Sequence, residues 1–374
     1  MEKVLVTGGA GFIGSHTVDR LLKIGYEVRI LDNLQKPVHM KGKPSYIPAE
    51  AEFMLGDVRD RDTIEKALEG VDYVFHLAAY QDYLPDFSTF FHVNSVSTAL
   101  IYEIAVAKKL PTKKIVVASS QFVNGEGIYR KKDGTFFYPK RRSNEQLEKS
   151  QWDFTDEEGN EMEYVLTPET YACPPNQYAI SKYSQELMAL NFGERYDIPS
   201  VAMRYSIVQG SRQSFYNMYS GACRIFSLSY YFDKAPTVYE DGMMLRDFVN
   251  VHDVVDANML VMQDPRANYQ AFNVGGGKAY SVKGFAEIVA AESGKSGIAP
   301  NITGEYRFGD TRNACSDISK LKSLGWSPLR TAEDSVREYL DYLNAQTDIQ
   351  DILDYAEKTM KNLDVVRKPS NSGK

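Results

Sequence analysis

The residues whose types and spacing could do chemistry together are Tyr178 and Lys182, in the run Tyr178-Ala179-Ile180-Ser181-Lys182. On a helix, positions four apart share a face, so a phenol and an ammonium stand one turn apart. A phenol with a pKa near ~10 is a poor base at neutral pH. Nearby positive charge stabilises the phenolate and lowers that pKa, so the pair could draw a proton from an alcohol. The spacing alone is weak: with 25 tyrosines a chance match is expected, and Tyr230 to Lys234 is a second one. Position separates them. Tyr178 follows a strand pattern that ends in Ser119-Ser120, and a hydroxyl at the C-terminal end of a sheet strand faces a ligand crevice. Ser120, Tyr178 and Lys182 are the candidate catalytic residues, and Tyr230 reads as a packing aromatic.

A second constellation supplies the positive charge. Thr7-Gly8-Gly9-Ala10-Gly11-Phe12-Ile13-Gly14 lies between a short apolar run and a helical pattern. Such glycines permit a tight turn, let backbone approach a pyrophosphate and let the helix pack closely, while its N-terminus offers amide hydrogens. Asp32, at the end of the next strand pattern, is placed to accept the adenosine ribose hydroxyls and to repel a 2′-phosphate, which favours NAD over NADP. Asp57 could take the adenine amine or cap a helix. An oxidised nicotinamide beside Tyr178 would both help form the phenolate and receive hydride from the carbon that loses its proton.

Stepping outward, strand patterns at residues 4–6, 27–31, 52–55, 73–76 and 114–118 alternate with helical stretches such as Phe12 to Lys23 and Phe87 to Lys109. That alternation predicts βαβ units and an α/β fold with a doubly wound parallel sheet. The pattern breaks between about 126 and 175, a charged stretch read as a surface excursion near the site. Helix returns at Asn176 to Arg195 and strand at Ser200 to Tyr205. Residues 346–374 read as a charged amphipathic helix and a frayed polar tail. The expected domains are 1–202 plus about 236–275 for the dinucleotide, and 203–235 plus 276–345 as a smaller mixed α/β substrate-binding domain.

The chain has 374 residues, 43% of them hydrophobic, with 43 Lys and Arg against 50 Asp and Glu and a net charge of −7. That balance speaks against a nucleic-acid binder, which needs a basic face. Cys173, Cys223 and Cys315 are far apart and odd in number, so neither a disulfide framework nor a metal site is expected. A reducing, cytoplasmic setting follows from that reading. The sequence also shows no apolar run of the ~18 residues that a membrane span needs.

Taken together, these motifs resemble the extended short-chain dehydrogenase/reductase family, in its sugar-nucleotide epimerase/dehydratase branch. The resemblance rests on Thr7 to Gly14, Asp32-Asn33, Gly56-Asp57-Val58, His76-Leu77-Ala78-Ala79, Asn94, Ser119-Ser120 and Tyr178 to Lys182. It continues in Arg246-Asp247-Phe248-Val249-Asn250-Val251 and Asn273-Val274-Gly275-Gly276-Gly277. It implies a Rossmann-type sheet that binds NAD through Gly8, Gly11, Phe12, Ile13, Gly14, Asp32, Asn33, Asp57 and Val58. Leu77, Ala78, Ala79, Asn94 and Tyr205 are implied as further NAD contacts, with Tyr178 as base and Lys182 on the nicotinamide ribose. Ser120 would hold the sugar oxygen, and Gln121, Gln213, Arg246, Arg307 and Arg312 would bind substrate, the arginines at phosphate. For Arg312 an ion pair with Asp310 or Asp317 is the competing reading.

Departures from the branch narrow the reaction. Gln121-Phe122 stand where its 4,6-dehydratases and decarboxylases keep acidic residues, and neither can supply the further acid or base that elimination needs. The remaining expectation is an NAD-dependent 4-epimerase of a dTDP- or UDP-hexose, passing through a 4-keto sugar. A dehydratase or decarboxylase using other residues, and a catalytically retired NAD-binding regulator, are the alternatives. Asn124 replaces the usual tyrosine of a Val-Tyr-Gly turn, and Ser206-Ile207 replaces a Phe-Asn pair. Both point away from an ordinary UDP-glucose epimerase and toward the subgroup assigned as dTDP-L-rhamnose 4-epimerases. The family commonly dimerises through two long helices, here 87–109 and 176–195, with Leu100, Ile104 and Leu187 as candidate contacts.

Overall fold

The computed structural model describes residues 1–217 and 221–370. Its centre is a seven-stranded parallel sheet of β1 (Lys3–Thr7), β2 (Glu27–Asp32), β3 (Glu52–Leu55), β4 (Tyr73–His76), β5 (Lys114–Ser120), β6 (Ser200–Tyr205) and β7 (Gln270–Val274). The spatial order is β7-β6-β5-β4-β1-β2-β3. The order reverses between β1 and β4, and ligands bind outside the carboxyl ends of the strands at such a switch point. Thr7 pairs with both Leu31 and His76, and Ser120 pairs with Tyr205, so the chemical motifs leave the sheet along one edge.

Successive strand side chains point to opposite faces, which divides the core in two. Val4, Val6, Val116, Ala118 and Met203 pack on one face, under α1 (Phe12–Lys23) and the later helix Val251–Gln263. Leu5, Val74, Ile115, Val117 and Ala202 pack on the other, beneath α2 (Arg61–Leu68), α3 (Phe87–Ala107) and α4 (Gln177–Tyr196). All seven residues of β5 are buried, and the Lys114 ammonium is satisfied by the Val261 and Asp264 carbonyls at 2.9 Å each. α3 widens into a π-turn over Phe91–Val96. α3 is apolar and long enough to pass for a membrane span by length and composition alone, but it is a core helix that buries Ile101, Tyr102 and Ile104 against the sheet.

A second layer begins after β6. Short strands Ile207–Gln209, Leu245–Asn250, Ala279–Ser281 and Asn313–Ala314 form a small mixed sheet. It packs with α5 (Ala222–Tyr231), α7 (Val282–Glu292) and α8 (Ala332–Asn344), in a core that includes Phe226, Tyr230, Phe248, Phe285 and Tyr339. The chain re-enters the large layer only with α6 (Val251–Gln263), later than the expected 236, because Leu245–Asn250 pairs within the small sheet. Asp247, buried and pushed up to about 6, accepts from Ser206 Oγ at 2.9 Å and from Gly276 N at 2.7 Å, tying the two layers together.

Two segments differ from the sequence reading. The excursion at 126–175 carries a three-stranded sheet, Ile128–Arg130, Phe136–Phe137 and Glu163–Val165, and it sends Glu126 and Arg142 into the interior. The C-terminal stretch is docked rather than frayed: α9 (Leu353–Asn362) is followed by Val366–Arg367, antiparallel to Tyr306–Arg307. Positions 371–374 of the expected tail lie outside the described residues.

Candidate active site

One cavity of about 900 Å³ runs from the glycine loop, past the ends of β4 and β5, to the second layer and α9. At its first end Gly8, Gly11, Phe12, Ile13 and Gly14 form the wall. Gly8 has φ +68°, and a Cβ there would lie 2.8 Å from the Ala78 backbone. A Cβ on Gly14 would lie 2.1 Å from the Gly8 carbonyl oxygen. α1 starts at Gly11 with no side-chain cap, leaving its first amide hydrogens free for a pyrophosphate. The cradle fits a dinucleotide. Gly14→Ala must displace rigid backbone, and we expect it to lose bound NAD and about 1–3 kcal/mol of stability, read by cofactor content and chemical denaturation.

Asp32 is oriented by its neighbours, accepting from Ala10 N at 3.0 Å and Leu34 N at 2.8 Å. Asn33, Asp57 and Val58 continue the wall, as do Leu77, Ala78 and Ala79 at the end of β4. Asp57 is held down to about 2, first by hydrogen bonds from Arg59 and further by Asn33. The helix-capping role open to it belongs to Asp60, whose side chain accepts from Asp62 N. The Tyr205 ring lines the cavity while its hydroxyl donates to Asn258 at 2.8 Å.

At the end of β5 the three chemical side chains converge. The Tyr178 hydroxyl is hydrogen-bonded to Ser120, and Ser120 Oγ accepts from Phe122 N at 3.2 Å. α4 brings Tyr178 and Lys182 there because Asn176 caps it, its side chain accepting from Ala179 N at 2.9 Å. Lys182 Nζ donates to the Ala118 carbonyl at 2.7 Å and to Gln185 Oε1 at 3.0 Å. Burial pushes Tyr178 up to about 12 and pulls Lys182 down to about 7. The sequence expectation was a lowered tyrosine. Here desolvation outweighs a lysine whose hydrogen bonds go elsewhere, so a phenolate at neutral pH requires a further positive charge in the cavity. Beneath lies a rigid floor: Ser119 donates to Glu186 at 2.7 Å, Glu186 pairs with Arg204 at 2.7 Å, and Arg204 donates to Asn124 at 3.0 Å. Asn124, the unusual residue of its turn, is thus a partner for a buried arginine.

Farther along, Arg246 lines the cavity with its guanidinium on the carbonyls of Leu245, Thr311 and Arg312. Among the described residues no carboxylate lies within ion-pair distance of it, and burial lowers its pKa. A buried, carbonyl-held guanidinium with no carboxylate in direct contact is suited to a phosphate. Arg307 pairs with Asp310 at 2.5 Å, donates to Tyr83 Oη at 3.0 Å and lies over the Tyr239 ring at 5.2 Å. Gln213 is on the same wall.

Three expected ligands do not line the cavity. Arg312 is engaged in the interior, with Asp153 and Asp241 at 2.7 Å and Glu240 at 3.1 Å, so neither phosphate nor the anticipated Asp310 or Asp317 is its partner. Asn94 is fully buried and spends its amide on Tyr80 N at 2.9 Å, Tyr80 O at 3.1 Å and Ser181 Oγ at 2.9 Å, bracing the loop after β4. Gln121 is 3% exposed, and among the described residues neither amide atom has a hydrogen-bond partner. The sequence reading in turn passed over His39, 3.8 Å from Asp32, along with Tyr83, Tyr239 and α9 on the wall. No local motif marks these, because they come from loops and a terminus brought in by the fold.

Residues 4–146 and 154–275 match the family described as NAD dependent epimerase/dehydratase. The chain belongs to that family. NAD is the family's cofactor, in keeping with the glycine cradle and Asp32. A dTDP-L-rhamnose 4-epimerase of Burkholderia thailandensis is 32% identical over 93% of this chain and 96% of its own length. A putative UDP-glucose 4-epimerase of Methanocaldococcus jannaschii is 31% identical over 91% and 98%. Among solved structures, a UDP-glucose 4-epimerase of Thermotoga maritima with UDP-glucose has a TM-score of 0.75 at 28% identity, covering 91% of this chain and 98% of that one. A UDP-glucose 4-epimerase of Thermus thermophilus in complex with NAD has a TM-score of 0.71 at 27%, covering 92% and 100%. This epimerase/dehydratase chain is an NAD-dependent enzyme whose relatives epimerise nucleotide sugars.

Proposed function

We propose that the chain is a 4-epimerase of a pyrimidine-diphosphate hexose, dTDP- or UDP-linked, working through a transient 4-keto sugar. The observation that carries this is the Ser120–Tyr178 hydrogen bond beside buried Lys182, with Gln121 and Phe122, not acids, in the next two positions. Bound NAD supplies a hydride acceptor and the positive charge that the buried phenol needs. Tyr178 takes the sugar hydroxyl proton and gives it back, Ser120 holds that oxygen, and Lys182 orients the nicotinamide ribose. Arg246 and Arg307 grip the diphosphate. With Tyr178 as the one base and Gln121 and Phe122 beside Ser120, the site offers no further acid or base for elimination. In this reading residues 1–202 with the later α6 and β7 hold NAD, and the second layer holds substrate.

The reading includes a homodimer through the outer faces of α3 and α4, where Val96, Ile180 and Leu187 are exposed. Ile104, at 1% exposure, belongs to the core instead. A cytoplasmic setting accords with three free cysteines. The test is incubation of purified protein with UDP-, dTDP-, GDP- and CDP-hexoses, followed by NMR. C4-inverted dTDP- or UDP-hexose without accumulating NADH is the expected result; a keto-deoxy sugar would overturn it.

A further inference from the structure

The C-terminal segment closes the cavity on its second-layer side. α9 presents Leu353, Asp354, Glu357 and Met360 to the cavity. It is fastened at both ends. At its start Lys234, itself on the cavity wall, binds Asp351 at 2.7 Å and Asp354 at 3.2 Å. At its end Val366–Arg367 pairs with Tyr306–Arg307, Phe308 N donates to the Val365 carbonyl at 2.8 Å, and the Arg367 guanidinium lies 4.1 Å above the Phe308 ring. The segment therefore docks on the same loop that carries Arg307 and Asp310.

We infer that α9 and the strand after it form the nucleoside wall of the substrate cavity and help set affinity for the nucleotide. The inference rests on the epimerase reading above. If the sugar lies at Tyr178 and the diphosphate at Arg246 and Arg307, the remaining part of the ligand is the nucleoside, and α9 faces that end of the cavity together with Ile225, Phe226 and Ser229 of α5 and Val238-Tyr239. Its chemistry suits that occupant. Ribose hydroxyls and a pyrimidine imide N–H are donors, and the Asp354 and Glu357 carboxylates are acceptors. Leu353 and Met360 offer apolar surface to the base, and a thioether adapts to a flat ring.

The test uses the full chain. In Glu357→Ala/Met360→Ala, KM for the epimerised nucleotide sugar is expected to rise about tenfold, equivalent to about 1.4 kcal/mol. kcat should stay within about threefold and bound NAD unchanged, because uniform binding and not the chemical step is touched. In the unaltered protein, UDP or dTDP alone should slow hydrogen exchange across 353–367. An unmoved KM, or a loss confined to kcat, overturns the inference. So does exchange in that segment that neither nucleotide alters. If no nucleotide sugar is epimerised, the functional reading falls by itself, while nucleotide protection of 353–367 still decides the role of the segment.

Discussion

Tyr178→Phe should fold, retain NAD and bind UDP or dTDP, yet lose about a thousandfold or more in kcat. Positioned proton transfer contributes about 10²- to 10⁴-fold, and here one group both takes and returns the proton. The ring, 8% exposed, keeps its packing, so the change removes a hydroxyl and little else. Because that hydroxyl acts on the reacting oxygen, the loss belongs in kcat more than in KM. The pH dependence carries a second signature. Burial, only partly offset by the Ser120 hydrogen bond, holds Tyr178 near 12, and Lys182, pulled down to about 7, is largely neutral above that pH. A positive nicotinamide must then lower the phenol. The unaltered enzyme should gain rate with rising pH along a limb whose apparent pKa lies well below 12, and the phenylalanine variant should lack that limb. Cofactor absorbance, nucleotide titration and NMR-followed turnover from pH 6 to about 10 would check all of this. A variant that keeps a tenth of the activity would remove Tyr178 from the mechanism.

The glycine-loop end of the cavity was legible because its signals are local. The glycines, Asp32 and the Tyr178–Lys182 pair each work through spacing along one strand–turn–helix unit, and the sheet order carries them to one edge. The substrate half was less so. Arg246 was readable from a motif, but the carbonyls that hold it come from Thr311 and Arg312, and Arg307 lies on a ring, Tyr239, far from it in sequence. Asn94 looked like a ligand because its position was right, whereas the π-turn carrying it directs its amide to the Tyr80 backbone. The docking of α9 depends on two-residue strands, too short to show a period of two, joined across about sixty positions. Charge in the 126–175 stretch read as solvation, since composition alone says nothing about which carboxylate meets which guanidinium.

That last point yields the second large effect: Arg312→Ala should destabilise the protein by about 1–3 kcal/mol, the range for losing charged hydrogen bonds from a buried group whose carboxylates keep other partners. Arg312 is 2% exposed and bridges the excursion, through Asp153, to Glu240 and Asp241 of the second layer, while its own N–H donates to Glu126 at 2.7 Å. Asp153 and Asp241 are 39% and 35% exposed, so water would take over much of their loss. Glu240 and Glu126 are each 1% exposed; Glu240 would be left with Arg142 as its ion partner, at 2.8 Å, while Glu126 keeps both Arg142 at 3.4 Å and the backbone N–H of residue 312. Burial already raises Glu126 above the usual carboxylate range. The effect should reach the site, since the Thr311 and Arg312 carbonyls hold the Arg246 guanidinium. Urea unfolding should therefore shift first, with a rise in KM alongside it. Arg312→Lys should recover only part of the stability, because an ammonium cannot bridge two carboxylates in the same plane. An Arg312→Ala protein with an unchanged unfolding midpoint and a weakened KM alone would return this arginine to the phosphate site that its motif suggested.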